Sequence, residues 1–467
     1  MHRQTASYIS TIILVTFLLG TVIAQAATPT VTTWLQPGSL TETASYIFWK
    51  EGATYFVKDG ETGKIESGAD ASAVIIAAIT NKTQGGVFHL KTGHYDLNAE
   101  ILFEQGMGFC TSSGIQWILE GEGTGTVLHQ ETSNTNAITV KNGTNVVIRN
   151  LQIKMGASAG YGIQGRKDGD VQEMSFDGGG IYNIDVYDGN PSYNLVRLTN
   201  FWYMRNEQWH LATATSGVVP VFLESNTTIT SYGNSYFGSI HIYCEGSNGA
   251  LLNYTGSNSG KGLNLLTLED WNIMGDTTAS TTGLVIGNCV RYNTLTSIDV
   301  ESFDIGVQIG AYANNWQPYG NVFVGGYIYA NTVGIQTNEY SYNNRFTGVN
   351  IDGGITDIVE NSGWIGNFWE DLDLQNSVMS NPNGYGVFEG GAGQNKWFSW
   401  TKSFTGVTNN TAFNIPNLLG TPDQYGIMAR NTNEGIMWVS AINATHATVL
   451  SDTDTTLSFT LWVAYPQ

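Results

Sequence analysis

Asp299 and Glu301 are two carboxylates separated by a single residue, Val300. Side chains alternate across a β-strand, so on a strand both carboxyl groups would point to one face, about 6–7 Å apart. This distance falls at the low end of the carboxyl–carboxyl separation in inverting glycosidases. In those enzymes one carboxyl group donates a proton and the other activates water. Acid pairs at this spacing are also common on solvated strand faces. The pair is therefore either a catalytic acid and base or part of an exposed surface.

Aromatic and acidic side chains repeat the spacing of this pair further along the chain. Tyr327 and Tyr329 follow 28 residues later, and Asp352 follows Tyr329 after another 23 residues. Sugars place C–H groups on aromatic faces and hydroxyls on carboxylates, so these three residues are candidate substrate-binding positions. Asp185 and His241 are weaker candidates, because the sequence does not fix the distance between them.

A repeat of 23 to 28 residues predicts the strands that position these side chains. Asn293, Asn321, Asn344 and Asn367 recur after 28, 23 and 23 residues, each followed by an apolar-x-apolar triplet. A second series of segments, starting at Gly283, Gly306, Gly334 and Asp357, keeps step with it. Short strands at such a period are typical of a β-solenoid, in which only stacked coils bury their apolar faces. The recurrent Asn residues are predicted to be structural, with each amide bonding to the turn and to the next Asn.

Residues in the middle of each apolar triplet are predicted to point outward and to form columns along the solenoid. The central column is predicted to contain Gln152, Asp185, His241, Asn272, Asp299, Tyr327, Asn350 and Asp373. The second column is predicted to contain Lys154, Tyr187, Tyr243, Met274, Glu301, Tyr329, Asp352 and Gln375. The interval from Ile184 to Ile240 is too long for one coil and predicts at least one irregular turn, using either residues 201–204 or residues 218–223.

The segment before these repeats contains a characteristic sequence pattern. Residues 69–79 predict a helix that Asp70 can cap. The sequences GGVFHL, GHYDL and WILEGEGTGTVLH follow, and with the helix they resemble the N-terminal part of the pectate-lyase-like superfamily. The resemblance covers residues 69–129 and continues through the repeats to about residue 376. It implies an all-β, right-handed parallel β-helix with an N-terminal capping helix, acting in a carbohydrate context.

The sequence pattern changes near residue 397, where the repeats have ended. Six or seven short strands separated by turn signals predict a small antiparallel β-sandwich over 397–467. The segment resembles the terminal β-domain of some phage tail and cell-surface β-helix proteins, and either a capping or a binding role is open. The predicted organisation is a signal peptide at 1–26, a cap and β-helix start at 27–129, a parallel β-helix at 130–396 and the sandwich at 397–467.

Composition and the first residues indicate the compartment and the partners. Residues 2–26 read as a secretory signal, with an apolar run too short for a membrane span. The chain is therefore expected to be secreted, as an extracellular or cell-surface protein without membrane insertion. A formal net charge of −20 disfavours nucleic acid and other polyanions. A polysaccharide or cell-surface glycan is the expected partner, and an oligomer is left open.

Metal and cofactor signals are weak in the sequence. The three cysteines, Cys110, Cys244 and Cys289, have no metal-ligand spacing, and they form either one disulfide or none. Acidic residues surround a glycine-rich turn at 177–180 and leave calcium as an option, although their spacing fits no EF-hand loop. They are Asp168, Asp170, Glu173, Asp177, Asp185 and Asp188. No cofactor and no metal ligand are predicted.

Two functional classes compete. The first is a polysaccharide-degrading enzyme, either a glycoside hydrolase or a lyase, with Asp299 and Glu301 as its catalytic residues. The second is a non-catalytic adhesin, receptor-binding or structural surface protein. The polygalacturonase motifs do not occur in order. No Arg or Lys, which the pectate lyases of this fold use as the base, lies near Asp299. The resemblance therefore implies the fold without the reaction.

Overall fold

The computed structural model describes most of the chain from residue 44 to residue 374 and, beyond that, strands alone. The described ranges are 44–82, 85–104, 116–141, 143–166, 176–190, 192–226, 232–258, 260–310, 316–338, 340–360, 367–370 and 372–374, with strands between 379 and 465. The predicted signal segment and the acidic residues 168–173 lie outside them. None of the helices in these ranges is long and apolar enough to cross a membrane.

An antiparallel meander and one helix precede the coils. The strand Tyr46–Glu51 pairs with Thr54–Asp59, which pairs with Ile65–Gly68. The helix Ala71–Asn81 begins where Asp70 accepts a hydrogen bond from the Ser72 N–H at 3.0 Å. This cap satisfies one of the free N–H groups of the first turn and confirms the predicted helix.

Three parallel ladders build the body of the protein. The first ladder contains Tyr46–Glu51, Gly86–Leu90, Trp117–Glu120, the first parts of Val146–Met155, Gly180–Asp188, Arg205–Thr213, Tyr236–Cys244, Thr267–Met274 and Thr294–Ile309, and then Val322–Val324, Arg345–Thr347, Phe368–Glu370 and Val387–Glu389. The second ladder contains Gly93–Leu97, Thr126–Gln130, the later parts of the same long strands, and then the start of Tyr327–Thr337, Asn350–Asp352 and Asp373–Leu374.

The third ladder closes each coil, and a minor ladder of two-residue strands leads back to the first. The third contains Ile101–Glu104, Ile138–Lys141, Ile163–Arg166, Val196–Thr199, Val221–Ser225, Ala250–Tyr254, Thr282–Ile286, the ends of Thr294–Ile309 and Tyr327–Thr337, Thr356–Glu360 and Met379–Ser380. The minor ladder contains Gly143–Thr144, Phe176–Asp177, Phe201–Trp202, Tyr232–Gly233, Leu263–Asn264 and Val290–Arg291. This is the predicted parallel β-helix.

The core is a stack of apolar side chains inside the coils. Ile184, Ile240, Ile298 and Val349, which precede the outward residues of their apolar triplets, are all at most 3% exposed, and the partly buried Leu372 packs against the core. Asp299 and Asn350 both remain outside the core. The predicted register of the strands is therefore confirmed.

The first ladder turns into the second at a single residue with left-handed backbone. Its φ angle lies between 47° and 59° in six successive coils, at Asn150, Asn183, Gln208, Ser239, Asp270 and Ser297. Polar residues with short side chains predominate, because Asn, Asp and Ser reach this conformation at lower cost than branched residues. The sharp corner sets the outward faces of the two ladders side by side.

A buried asparagine ladder ties four coils together. The Nδ2 groups of Asn293, Asn321 and Asn344 each donate to the Oδ1 of the next Asn at 2.8 Å. Each of these Oδ1 atoms also accepts the backbone N–H of the preceding Asn, at 3.1–3.2 Å. The final Asn367 donates to Glu360. The predicted structural role of these residues is confirmed.

One prediction about the path of the chain is wrong. The interval between Ile184 and Ile240 holds a complete coil, whose strand Arg205–Thr213 pairs with the strands on both sides. Trp209 occupies the inward position between Ile184 and Ile240, and its side chain is fully buried. Residues 221–223 belong to the strand Val221–Ser225, in the third ladder of this coil. The turn is therefore regular, and Asp185 and His241 are two coils apart.

Antiparallel strands follow the last coils. Phe398–Thr408 and Gln424–Ala429 both pair with Thr456–Tyr465. Ala412–Asn414 and Met437–Ile442 both pair with His446–Ser451. The strands agree with an antiparallel β-domain, while the boundary at residue 397 stays a prediction.

Candidate functional site

The outward face of the second ladder carries the candidate residues in two parallel columns. Backbone pairing places Asn272 beside Asp299 and Tyr327 beside Asn350 in the central column. In the second column it places Met274 beside Glu301, Glu301 beside Tyr329 and Tyr329 beside Asp352. Neighbouring strands lie about 4.8 Å apart, so these residues form two rows of closely spaced side chains. We call Asp299, Glu301, Tyr327, Tyr329 and Asp352 the acid–tyrosine patch.

Two tyrosines form the platform of this patch. The rings of Tyr327 and Tyr329 are 6.5 Å apart between centroids and nearly parallel, with an interplanar angle of 11°. Tyr329 is 38% exposed, which leaves a large part of its ring open to solvent. Flat aromatic surfaces on a rigid sheet suit the C–H faces of a sugar, because they lose little conformational freedom on binding.

Carboxylates surround the tyrosine platform. Partial burial raises the pKa of Tyr327, and the negative charges of Asp352 and Glu301 raise it further. These charges are thus close enough to act on the Tyr327 hydroxyl. Glu301 also adjoins a register shift in the strand pairing, between Glu301 and Phe303. Such bulges change the direction of side chains and are frequent beside functional sites.

Asp299 has a second role besides facing solvent. Its Oδ1 accepts a hydrogen bond from the Tyr327 backbone N–H at 2.9 Å. The contact closes the start of the strand that carries both tyrosines, just after the left-handed Gly325 and Gly326. Asp299 is therefore fixed in position by the next coil.

Asp185 and His241 are not part of the acid–tyrosine patch. His210 lies between them in the central column, and its Nδ1 is 3.6 Å from Asp185 Oδ1. Asp185 and His241 are therefore separated by about 9.6 Å along the ladder. The structure places both on the predicted face and does not bring them together.

Some polar residues on the first ladder were not predicted. Tyr236 donates to Glu269 Oε2 at 2.8 Å, and Arg205 donates to Glu207 Oε1 at 2.6 Å. The Arg205 guanidinium lies over the Tyr236 ring at 5.5 Å. Burial, with the hydrogen bond to Glu269, raises the pKa of Tyr236 to about 12. Sequence reasoning missed this group because Arg205 and Glu207 belong to the unrecognised coil; the triplet formed by residues 209–211 was the signal for it.

The structure describes some of the cysteines and some of the candidate metal ligands. Cys244 and Cys289 are both buried and are not joined in a disulfide bond, and Cys110 lies outside the described residues. The acidic residues considered for calcium are described only at Asp185 and Asp188, together with the backbone of Asp177. In the described part of the chain, one group of side chains brings three metal-ligating atoms within 4.8 Å of one another, and it lies at the opposite end of the second ladder.

Comparisons with known proteins add structural similarity alone. No protein family and no curated protein matches the sequence. The chain is similar to the tailspike protein gp49 from Pseudomonas phage LKA1, with 11% identity, a TM-score of 0.36, and coverage of 84% of this chain and 92% of the other. It is also similar to the A-module of the mannuronan C-5 epimerase AlgE6 from Azotobacter vinelandii, with 14% identity, a TM-score of 0.31, and coverage of 67% and 96%.

A third similar structure is the catalytic domain of a GH87 α-1,3-glucanase in complex with tetrasaccharides. It shares 13% identity over 68% of this chain and 66% of the other, with a TM-score of 0.38. At these values the assignment of the fold rests on the strand pairing itself. That pairing defines the chain as a parallel β-helix protein, the fold implied by its resemblance to the pectate-lyase-like superfamily.

Proposed function

We propose that this chain is an extracellular polysaccharide-binding β-helix whose glycan lies on the acid–tyrosine patch. The observation that carries the proposal is the pair of stacked rings, Tyr327 and Tyr329, beside carboxylates on a continuous sheet. Aromatic rings supply apolar contact, and the carboxylates of Glu301 and Asp352 accept hydrogen bonds from hydroxyls. Polar groups beside an apolar surface are the usual composition of a small-molecule or sugar site.

The negative charge of the chain and of the patch disfavours one class of glycan, the polyanionic polysaccharides. The chain carries a formal net charge of −20, and the acid–tyrosine patch itself contains three carboxylates. The described rows from Asn272 to Asp352 in these two columns contain no basic side chain. A polyanionic polysaccharide would be repelled here, so the proposal is for a neutral or amine-bearing glycan.

A substitution that removes one ring of the platform tests this proposal. A glycan array with the full chain identifies a ligand, and calorimetry then compares the wild type with Tyr329→Ala. We expect about tenfold to hundredfold weaker binding, because removal of an exposed aromatic contact costs on the order of 1–3 kcal/mol. The matched control is Tyr203→Asn, which removes a 59% exposed tyrosine at a left-handed turn position away from this face. Equal affinities of wild type and Tyr329→Ala would contradict the proposal.

Hydrolysis of the bound glycan is the second candidate function. It is favoured by the position of Glu301, which faces the platform two residues from the fixed Asp299. In this reaction one carboxyl group protonates the glycosidic oxygen while the other activates water for attack at the anomeric carbon. A lyase is not proposed, since the pectate lyases of the fold that the chain resembles use an Arg or Lys as the base, and the described rows from Asn272 to Asp352 contain neither.

One variant separates binding from hydrolysis. Glu301→Gln keeps the shape of the side chain and loses its proton chemistry, so it would abolish the release of reducing ends while leaving binding within about threefold. If the wild type binds the glycan and releases no reducing ends, the protein is a non-catalytic adhesin or receptor-binding protein. In that case Glu301→Gln is expected to matter little.

A further inference from the structure

A second cluster of chemistry-bearing side chains lies at the N-terminal end of the same ladder face. His94 and Asp96 come from the strand Gly93–Leu97, and His129 comes from Thr126–Gln130 in the next coil. Backbone pairing sets Asp96 directly beside His129. His94 and Asp96 are two residues apart and therefore point to the same face. Five coils lie between this cluster and the acid–tyrosine patch.

Both imidazoles converge on a single carboxylate oxygen. His94 Nε2 lies 3.0 Å from Asp96 Oδ1, and His129 Nδ1 lies 3.2 Å from the same atom. The two rings approach edge to face, with centroids 4.9 Å apart. Tetrahedral zinc with bonds of about 2.0–2.1 Å needs ligand atoms roughly 3.3–3.4 Å apart. The two nitrogen–oxygen distances are slightly shorter than this, and all three ligand atoms lie within 4.8 Å of one another.

Neighbouring groups orient the ligand atoms in the way that metal sites require. The second oxygen of Asp96 accepts hydrogen bonds from Tyr55 at 2.9 Å and from Lys50 at 3.2 Å. These two contacts fix the carboxylate, with Oδ1 facing the imidazoles.

His129 is the most buried side chain of the cluster. Its Nδ1 points to Asp96, and its Nε2 is buried, 3.1 Å from Glu131 Oε1 but without a hydrogen bond. A carboxylate close to the far ring nitrogen is a common neighbour of a metal-ligating histidine. The side chain of His129 is 15% exposed, whereas those of His94 and Asp96 are 47% and 54% exposed, so the cluster is open to solvent on one side.

We propose that His94, Asp96 and His129 form a binding site for one divalent transition-metal ion, with zinc as the preferred ion. Two imidazole nitrogens and one carboxylate oxygen suit zinc better than calcium or magnesium, which prefer oxygen ligands alone. Three protein ligands leave one coordination position for water or another oxygen ligand on the solvent side. This proposal is independent of glycan binding at the other end of the ladder.

The competing description is a hydrogen-bonded cluster without metal, in which both imidazoles donate to Asp96. Zinc titration of the untagged full chain by calorimetry distinguishes the two, with the visible absorption of bound cobalt as a second readout. We expect one ion per chain in the wild type. His94→Gln and His129→Gln are each expected to bind at least tenfold more weakly and to lose the cobalt band.

The chain offers a matched control in His89. This imidazole also lies between carboxylates, 3.1 Å from Glu120 and 3.4 Å from Glu122, but no second imidazole among the described residues converges with it. His89→Gln should bind zinc as the wild type does. Thermal unfolding in the presence of a chelator tests folding separately, and the variants should then melt close to the wild type.

Three outcomes would overturn the proposal. The wild type could bind no zinc, or His94→Gln and His129→Gln could bind it unchanged, or His89→Gln could lose it to the same extent. In the first case the cluster is the hydrogen-bonded arrangement alone. In the others zinc binds elsewhere on the chain or without these ligands.

Discussion

Asn321 shows at the scale of a single residue how the coils are held together. Its Nδ2 donates to Asn344 Oδ1 at 2.8 Å and to the Val290 carbonyl at 2.9 Å. Its Oδ1 accepts both the side chain and the backbone N–H of Asn293. Each of these groups is buried and cannot turn to water, so the amide serves two coils at once.

Replacement of this amide should be costly. Asn321→Ala removes the acceptor of the Asn293 backbone N–H and the donor to the Val290 carbonyl and to Asn344, and each unsatisfied buried group costs about 1–3 kcal/mol. We expect a loss of about 2–4 kcal/mol in the free energy of unfolding, measured by denaturant titration. Asn272→Ala is the control, because Asn272 is half-buried on the outward column. Its loss should stay below about 1 kcal/mol, and equal losses would contradict the assigned role.

Residue types and spacing were sufficient to predict this ladder and the columns of the acid–tyrosine patch. Asn at a fixed period has few structural explanations, and alternation along a strand decides which side chains face out. The hydrogen bond from the Tyr327 N–H to Asp299 could not be predicted in this way. It depends on the side-chain rotamer of Asp299 and on the turn at Gly325 and Gly326, which sequence periodicity does not specify.

Gly306 shows at the scale of the element why the third ladder begins with glycine. A Cβ at this position would overlap the Cγ2 methyl of Ile328 and lie 2.6 Å from the carbonyl oxygen of Gly334. Gly283 and Gly334 meet Val300 and Ile351 in the same manner. The corner between the second and third ladders therefore packs each glycine against a branched side chain of the core.

Gly306→Ala is expected to destabilise the β-helix by about 2–4 kcal/mol, since a packed core cannot absorb the added methyl group without displacing the backbone. The comparison is Gly325→Ala, where the added carbon meets nothing within 4 Å and only the left-handed φ of 64° is strained. That strain costs about 1–2 kcal/mol. Thermal unfolding of both variants provides the measurement, and a Gly306→Ala protein as stable as the wild type would exclude the close packing.

One coil, which contains the strand Arg205–Thr213, was not identified from the sequence. The strand Arg205–Thr213 places Trp209 where neighbouring coils place Ile, and the Trp209 Nε1 donates to the Ile181 carbonyl at 2.9 Å. An aromatic residue fits this inward position because its indole donor finds a partner in the coil below. The triplet at residues 209–211 has the same pattern as the identified triplet at 271–273, but its interval was predicted to be an irregular turn. His210 and the ion pair of Arg205 with Glu207 were therefore missed.

At the scale of the whole molecule, the protein is a rigid stack that displays one long polar face. The second ladder runs from Gly93–Leu97 to Asp373–Leu374, with the histidine cluster at one end and the acid–tyrosine patch towards the other. Each coil contacts mainly its neighbours, so the face is continuous although its residues are far apart in sequence. The architecture could be predicted because it repeats; the substrate could not, because a repeat specifies where side chains lie and not what they bind.

The terminal strands are the competing location for a ligand. Phe398–Thr408 continues from the last coils through the pairing of Ser399 with Phe388. This contact fits a cap over the exposed edge of the last coil. It is equally consistent with a separate domain at 397–467, which remains a prediction.

Hydrogen exchange of the full chain with and without its glycan tests the central claim most directly, because it reports on every segment at once. Glycan binding on the acid–tyrosine patch predicts slower exchange in peptides that span 299–301, 327–329 and 350–352, with little change at 398–465. Protection confined to 398–465, or spread away from the second ladder, would contradict the account.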